Sequence, residues 1–350
     1  MAHRLTVGPG SGDASDPANA RRAATLYAAL DLGTNNCRLL IARPTYDGFR
    51  VVDAFSRIVR LGEGLTQHGR LGEEAIARTM GALEICANKM RARGVGRFRL
   101  IATEACRAAS NGSDFLAKVR RELGLTLEVI DRETEARLAV EGCGALADPE
   151  AQALVLFDIG GGSSEIVWLG DRDRRKSAVA CIKAWESLRL GVVSLAEKFG
   201  GHEVAEATFE AMTQYVLAAL APFAQRVAGE ARCPRFHLLG TSGTVTTIAG
   251  VHLGLPRYDR RQVDGLWMSD LDADAAIKRL RAMSYAERAA NACIGEERAD
   301  LVLAGCAILE AIRRVFPAER IRIADRGLRE GLLSQMISAD RLAGAQARWA

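Results

Sequence analysis

The chain has 350 residues, of which 49% are hydrophobic and 26% charged, and a net charge of +4, as is typical of an ordinary globular protein. This length exceeds the size at which one hydrophobic core usually stops growing, so we expect two domains. No apolar run approaches the roughly 20 residues that a membrane-spanning helix requires, which argues against a membrane protein.

The cysteines and the start of the chain indicate where the protein works. The eight cysteines are scattered and include no Cys-x-x-Cys pair, which excludes a typical zinc site and a disulfide framework. Residues 1–24 are small, polar and aperiodic, so we predict a disordered tail. Arg21 and Arg22 resemble a twin-arginine signal, but Asp31 interrupts the apolar stretch behind them. We therefore expect a cytoplasmic protein.

The first half of the chain is predicted to contain three strands, followed by alternating helices and strands. Apolar runs bounded by turn residues predict the strands, and apolar residues at helical spacing predict the helices. Ser113 is placed to cap the second helix. In chain order the elements are the strands LYAALDLG, CRLLIARP and FRVVDAFSRIVRLG (one bent strand or two short ones), a helix from about Gly72 to Arg93, the strand FRLIAT, the helix SDFLAKVRREL, the strand LTLEVI and the helix RETEARLAVEGCGALA.

The second half is predicted to begin in the same way. Its first two strands, ALVLFDIG and SEIVWLG, are joined by a turn of three glycines. The later elements are the hairpin DRDRRK, a strand near Ser177 to Trp185, helices from Val193 to Val227, the strand FHLLG, the helix TVTTIAGV, further helices ending in EERADLVLAGCAILEAIRRVF, the strand RIRIA and the helix GLREGLLSQMI.

The two openings align at one spacing. Asp158 and Gly160 each follow their counterparts, Asp31 and Gly33, by 127 residues. Two related α/β halves indicate a duplicated fold with a cleft between its domains. We predict a first domain over residues 25–148, a second over 149–340 whose last helix can pack back on the first, and a tail over 341–350.

Both aligned turns have the composition of a phosphate site. Backbone amides in a glycine-rich turn form a concavity that binds anions, and hydroxyl and amide side chains add donors at its rim. Asp31 and Asp158 would repel a bare phosphate, so we expect Mg²⁺ between carboxylate and phosphate. Plain hairpin turns with Asp as a turn former are the alternative. The expected phosphate-binding residues are Gly33, Thr34, Asn35, Gly160, Gly161, Gly162, Ser163 and Ser164.

A third candidate phosphate loop lies in LLGTSGTVTTIAG. A strand, the residues Gly240, Thr241, Ser242 and Gly243, and then a helix would place phosphate at a helix N-terminus. An ordinary capped loop is the alternative.

Eight blocks in order resemble the exopolyphosphatase/guanosine pentaphosphate phosphohydrolase family. They cover about Tyr27 to Ile337 and are together far more specific than one glycine motif. The blocks are ALDLGTNNCRLLIA, IATEACRAASN, ETEARLA, FDIGGGSSEIV, LRLGVVSLAE, LGTSGTVTTIAG, YDRRQVDG and DRGLREGLL. The resemblance implies two ribonuclease H-like domains of the actin, hexokinase and Hsp70 type. It also implies Mg²⁺-dependent release of a terminal phosphate from linear polyphosphate, our first hypothesis, or from guanosine pentaphosphate.

The resemblance also implies residue roles. Glu135 matches the catalytic glutamate and Arg107 a phosphate-binding arginine, while Asp158 and Glu165 match acidic residues at the metal and second phosphate loop. Thr134 departs from the Glu-Glu pair often found there, which leaves Glu135 as the only candidate base at that position. In the first turn of a helix the dipole favours its charged form, while bound polyphosphate raises its pKa toward a general-base range. The residues alone favour a helix-dipole carboxylate for Glu135 and a solvated surface arginine for Arg107. Glu165 could equally orient a water on Mg²⁺ or pair with an arginine.

Three classes of function remain: a terminal phosphohydrolase, a kinase or ATPase of the same fold, and a sensor that binds polyphosphate or guanosine tetraphosphate without turnover. ETEARLA and the ending DRGLREG argue against the second class, and the presence of Glu135 and Asp158 argues against the third. Aromatic and basic residues are not interleaved as they are in many nucleic-acid-binding proteins, so we do not expect nucleic-acid binding. A monovalent cation such as K⁺ and a homodimer are left open.

Overall fold

The computed structural model describes residues 25–172, 176–229 and 235–346. The predicted tail over residues 1–24 and part of the hairpin DRDRRK lie outside these ranges. Each half of the described chain forms one mixed β-sheet covered by helices. No helix within the described ranges combines the length and the hydropathy that crossing a membrane requires.

The first sheet has five strands in the order β3-β2-β1-β4-β5. β1 pairs antiparallel with β2 and parallel with β4, and β2 pairs antiparallel with β3. The strands are β1 (Leu26–Leu32), β2 (Asn36–Thr45), β3 (Gly48–Ile58), β4 (Val95–Ala102) and β5 (Glu128–Val129). The helices of this half are α1 (Leu65–His68), α2 (Glu73–Ala92), α3 (Glu104–Ala108), α4 (Gly112–Leu123) and α5 (Arg132–Cys143).

The second sheet has six strands in the order β10-β11-β9-β6-β7-β8. They are β6 (Ala153–Ile159), β7 (Ser164–Leu169), β8 (Ile182–Leu188), β9 (Phe236–Thr241), β10 (Trp267–Ser269) and β11 (Arg320–Ala324). The helices are α6 (Val192–Phe199), α7 (Glu206–Val227), α8 (Gly243–His252), α9 (Arg260–Val263), α10 (Asp270–Ala282), α11 (Tyr285–Ala290), α12 (Val302–Val315) and α13 (Leu328–Gln346).

The order and direction of the strands repeat between the sheets. β8-β7-β6-β9-β11 reproduces β3-β2-β1-β4-β5 with the same parallel and antiparallel pairings, and β10 is an added edge strand. The predicted α/β class and its duplication are therefore confirmed. We call the first sheet with α1–α4 and its loops the first lobe, and the second sheet with α6–α12 and its loops the second lobe.

Helices α5 and α13 lie between the two lobes. One of the three hydrophobic cores joins them to both sheets, with Ala29 from the first sheet and Leu156 from the second. Glycines let the helices approach closely, since a Cβ at Gly142 would lie 2.0 Å from the carbonyl oxygen of Gly327. The Tyr27 hydroxyl also donates to Asp340 at 2.7 Å, so the last helix packs on the first sheet.

Several elements begin or end at other residues than the sequence predicted. Helix α4 begins at Gly112 with Asn111 as its N-cap, so Ser113 lies inside the helix and does not cap it. LTLEVI forms only the two residues of β5, at the sheet edge. The third strand of the second half begins at Ile182, after a 3₁₀ turn over Ala178–Cys181. Helix α13 runs to Gln346, into the segment predicted as a tail.

Candidate active site

A cleft lies between the lobes where β1 and β6 end in the two predicted turns. It contains about 900 Å³ of empty space, part of it open to solvent. Most of the predicted site residues line this one cleft. They are Asp31, Gly33, Thr34, Asn35, Glu135, Asp158, Gly160, Gly161, Gly162, Ser163, Glu165, Ser242 and Gly243.

The two turns pack directly against each other across the cleft. A Cβ at Gly162 would lie 2.6 Å from Oγ1 of Thr34, and a Cβ at Gly161 would lie 3.1 Å from the backbone nitrogen of Asn35. Gly191 is equally constrained, because its Cβ would lie 2.4 Å from the Gly161 carbonyl oxygen. The row of glycines is therefore required by protein packing, in addition to any ligand.

The backbone of the turns is divided between structural bonds and free donors. The carbonyls of Gly160 and Gly161 accept hydrogen bonds from the first amides of α6, at 3.0 and 2.8 Å. In the described part of the chain, the amides of Thr34, Asn35, Gly161 and Gly162 have no hydrogen-bond partner. Free amides in such turns form the concavity that binds anions.

The third loop adds the N-terminus of α8 to the same cleft. Ser242 adopts a φ of 90°, and its hydroxyl donates to the Ile159 carbonyl at 2.7 Å, which ties the loop to the end of β6. Gly243 and Thr244, the first residues of α8, line the cleft, and their amides are unpaired among the residues that the structure describes, as expected at a helix start.

Two arginines that we did not predict border Gly243 from opposite lobes. A Cβ at Gly243 would lie 3.6 Å from Nη2 of Arg38, on β2, and 3.9 Å from Cζ of Arg298, in the loop before α12. Neither guanidinium has a hydrogen-bond or ion-pair partner within the described ranges. Burial, followed by the charge of Arg38, lowers the pKa of Arg298. The charge of Arg38 also acts on the nearby Asp31 and Asp158, but two neighbouring cations at the start of α8 favour an anionic ligand there.

Glu135 is held at the start of α5 by a network of charges. Asp131 caps the helix by accepting a bond from the Thr134 amide at 2.7 Å. The Glu135 side chain is buried, and its Oε2 accepts from Nη2 of Arg107 at 3.1 Å. The same Arg107 donates to Glu104 at 2.6 Å, and Arg132 donates to Glu104 at 2.9 Å. These bonds fix the orientation of the carboxylate.

The pKa values of the two half-buried aspartates, Asp31 and Asp158, are raised above the ordinary value. Burial raises the pKa of Asp158 to about 6, with Arg38 opposing and Asp31 adding to the shift. Burial also raises the pKa of Asp31, against the lowering effects of Arg38 and Arg329. The cause is the loss of water around the charged form.

The pKa values of Glu135 and Glu165 are also raised, and the titrations of these two carboxyls are linked. Burial, followed by the charge of Asp158, raises the pKa of Glu165 to about 7, although hydroxyl bonds from Ser187 and Ser163 oppose this. Burial and then the charge of Glu165 raise the pKa of Glu135 well above its ordinary value, with Arg107 opposing. Carboxyls whose pKa values are raised by burial and by a charged neighbour are candidates for general-base chemistry.

The donors in the cleft suit a hard cation that is shared with a substrate. No group of three or more His, Cys, Asp or Glu side chains within the described ranges is arranged to hold a metal alone. Mg²⁺, however, is usually bound by one or two carboxylates, waters and phosphate oxygens. The Oδ1 atoms of Asn35 and Asn36 are also buried without a partner on the same wall. The residues fit magnesium with a phosphate ligand.

Four predicted phosphate-binding residues do not line the cleft. Arg107 is occupied by Glu104, Glu135 and the Ile130 carbonyl. The Ser164 hydroxyl donates to the Leu190 carbonyl at 2.9 Å. Gly240 packs against the ring of Phe157, and the Thr241 hydroxyl donates to the Arg326 carbonyl.

The chain is similar in sequence to known proteins over nearly its whole length. It spans about 62% of the length of two curated relatives, both named guanosine-5'-triphosphate,3'-diphosphate pyrophosphatase. The relative from Aeromonas hydrophila is 30% identical over 93% of this chain, and that from Aeromonas salmonicida is 31% identical over 93%.

Two solved structures are similar along nearly their full length. An exopolyphosphatase from Cytophaga hutchinsonii has a TM-score of 0.81 and 25% identity over 90% of this chain and 98% of its own. A Ppx/GppA protein from Aquifex aeolicus has a TM-score of 0.72 and 26% identity over the same shares. The family model described as Ppx/GppA phosphatase matches residues 40–339. This chain belongs to the Ppx/GppA phosphatase family.

Proposed function

We propose that this protein hydrolyses the terminal phosphoanhydride bond of guanosine 5'-triphosphate 3'-diphosphate and releases orthophosphate. The observation that carries the proposal is that amides and guanidiniums from both lobes, unpaired within the described residues, converge on a cleft that contains the buried Glu135. The names of the curated relatives favour this nucleotide over polyphosphate, our first hypothesis from the sequence.

The arrangement of donors suits a chain of phosphates better than a single phosphate. The first turn, the glycine turn and the start of α8 each provide free amides, and Arg38 and Arg298 provide cations from opposite lobes. A single phosphate has too few oxygens to use three such groups. A triphosphate offers enough oxygens to use them together, in a cleft that Glu135 also lines.

Glu135 is assigned as the general base. Its carboxylate takes a proton from a water molecule while the water oxygen bonds to the terminal phosphorus, and the bond from that phosphorus to the bridging oxygen breaks. The products are orthophosphate and the shortened nucleotide, whose new terminal oxygen keeps the bonding electrons. Arg107 acts through Glu135, because it orients the carboxylate and opposes its protonation.

Asp31 and Asp158 would hold Mg²⁺, and Glu165 lies close enough to Asp158 for the charge of Asp158 to raise the pKa of Glu165. When bound, the ion supplies positive charge that neutralises the phosphate oxygens. The free amides and the two guanidiniums serve the same purpose on the oxygens that face them.

Linear polyphosphate is the second candidate substrate. Its support is the exopolyphosphatase from Cytophaga hutchinsonii, which matches this chain along 98% of its own length, whereas the curated relatives are longer. A chain of phosphates without a nucleoside would use the same amides and guanidiniums.

The experiment is a phosphate-release assay with Mg²⁺ that compares guanosine 5'-triphosphate 3'-diphosphate, long-chain polyphosphate and ATP. We expect the highest kcat/KM for the guanosine nucleotide and the lowest for ATP. A higher value for polyphosphate would favour the second candidate. Binding of all three without phosphate release would refute hydrolysis and indicate a sensor.

A further inference from the structure

Arg60 lies in a left-handed backbone conformation two residues after the end of β3. Its φ is 48°, which is uncommon for a residue other than glycine and indicates that the surrounding structure imposes it. Arg60 does not line the cleft and was not among the predicted site residues. Its contacts on both sides explain the conformation.

On the first lobe, Arg60 is fixed to the first phosphate turn. The amides of Val59 and Arg60 both donate to the Asn35 carbonyl, at 2.9 and 3.1 Å, and the Gly62 amide donates to the Thr34 carbonyl at 2.9 Å. The backbone of residues 59–62 therefore moves with the turn.

On the second lobe, the Arg60 guanidinium binds the segment that carries Arg298. Nη1 and Nη2 each donate to one carboxylate oxygen of Asp300 at 2.9 Å, and Nη2 also donates to the Glu297 carbonyl at 3.0 Å. A second link between the lobes lies nearby, because the Gly64 amide donates to Glu197 at 2.8 Å.

The segment over residues 297–300 is rigidly held by its own lobe. The buried Arg288 donates to the Ala299 carbonyl at 3.1 Å and has further carbonyl partners in the loop after α6. A Cβ at Gly201 would lie 2.0 Å from the Asp300 carbonyl oxygen, so the two backbones are in contact. Moving Asp300 therefore moves Arg298 with the second lobe.

We propose that Arg60 is a positioning residue whose two-bond pair with Asp300 latches the lobes together and sets Arg298 opposite Arg38 in the cleft. The pair joins the backbone of the first turn, at Asn35, to the segment that carries Arg298. This inference concerns the phosphate-binding cleft of the proposed function and rests on it for its role in turnover.

The geometry distinguishes this pair from ordinary surface ion pairs. Such pairs usually contribute little, because both side chains are solvated and lose entropy on pairing. Here the side chains of Arg60 and Asp300 are only 29% and 17% exposed, and the contact is bidentate. If the latch is lost, the fraction of molecules with assembled donors falls, and the apparent affinity falls by the same factor.

The test measures the lobes directly in the full chain. Spin labels at Glu74→Cys and Ala207→Cys, on exposed helix starts of the first and second lobes, report the distance between the lobes without ligand. Cys233 is replaced by serine, because it alone among the cysteines lies outside the described residues. Calorimetry with inorganic tripolyphosphate and Mg²⁺ reports affinity without turnover.

We expect Arg60→Ala and Asp300→Asn to broaden the distance distribution toward longer distances and to weaken tripolyphosphate binding by about tenfold. The double variant Arg60→Asp with Asp300→Arg should restore both in part. Arg97→Ala is the matched control, because Arg97 pairs with Asp340 between the first sheet and α13, away from the cleft. It should change neither quantity.

Unchanged distances between the lobes in both single variants would refute the proposal that the pair holds the lobes together. This holds even if tripolyphosphate binding weakens, because Arg60 would then act on the ligand directly. Neither readout needs hydrolysis. A protein that hydrolyses none of the tested nucleotides would refute the proposed function and leave this test unaffected.

Discussion

Nη2 of Arg107 lies 3.1 Å from Oε2 of Glu135 and 2.6 Å from Oε2 of Glu104. The guanidinium thus holds the carboxylate assigned as the base while a second carboxylate holds the guanidinium. This relationship orients Glu135 and opposes the protonation that burial favours. In this structure Arg107 contacts the proposed base and does not line the cleft.

Glu135→Gln should abolish most of the orthophosphate release and leave ligand binding intact. The amide keeps the size of the side chain but cannot accept the proton of water, and general-base catalysis contributes about 10²–10⁴-fold. Phosphate release measures the loss, and calorimetry with tripolyphosphate measures binding. Glu133→Gln, on the exposed side of the same helix, is the control. Full turnover in Glu135→Gln would exclude this residue as the base.

Arg107→Ala should move the acid limb of the kcat/KM profile to higher pH. The reason is that removing the cation leaves burial and Glu165 to raise the pKa of Glu135 without opposition. Arg132→Ala is the control, because Arg132 contacts Glu104 but not Glu135. The measurement is kcat/KM between pH 5 and 9. A uniform loss of rate with an unmoved limb would instead indicate a direct phosphate contact.

The fold was predictable because its signals are local. The Asp-x-Gly turns recur at one spacing between apolar strands, and this placed two equivalent sheets correctly. The two turns were also expected to lie in one cleft, which the lining of the cavity bears out.

The cations of the cleft were not predictable in the same way. Arg38 had a weak signal, since it alternates along β2 with the buried Cys37 and so shares a face with Asn36. Arg298 was predicted near the start of the helix EERADLVLAGCAILEAIRRVF, but that helix begins only at Val302, and Arg298 instead ends a 3₁₀ turn that borders the cleft. Arginines are so numerous in this chain that composition could not single out either one.

The sequence predicted only one of the two reasons for the glycines in the turns. A ligand was expected to require them, whereas Gly162 also meets Thr34 of the other lobe and Gly240 meets the ring of Phe157. Contacts between residues far apart in sequence leave no local pattern.

Gly162→Ala should lower the free energy of unfolding by about 1–3 kcal/mol, because its Cβ would lie 2.6 Å from Oγ1 of Thr34. Thr34→Ala removes that atom, so the double variant should regain part of the loss, as a double-mutant cycle in urea would measure. Gly81→Ala, in α2 with open space around its Cβ, is the control and should be neutral or stabilising. Additive effects of the two substitutions would contradict direct contact between the turns.

Asp158→Asn should raise the Mg²⁺ concentration needed for half-maximal binding of tripolyphosphate by at least about tenfold. An amide lacks the charge that makes a carboxylate a strong magnesium ligand. Calorimetry at increasing Mg²⁺ is the measurement, and the exposed Asp47→Asn is the control. Binding in EDTA that equals binding in Mg²⁺ for the unsubstituted protein would show that no divalent ion is needed.

Glu165→Gln should stabilise the ligand-free protein at pH 8 and have little effect at pH 4.5. The pKa of Glu165 is raised from 4.5 to about 7 by burial, so between these values the folded state holds a proton that the unfolded state has released. Stability therefore falls as pH rises through this window, by up to about 3 kcal/mol. The neutral amide does not incur this cost. Thermal melting at both pH values measures the difference, and Glu84→Gln, on an exposed side chain, controls for net charge. A Glu165→Gln variant that is less stable than the unsubstituted protein at pH 8 would show that the bonds from Ser187 and Ser163 outweigh the burial of the charge.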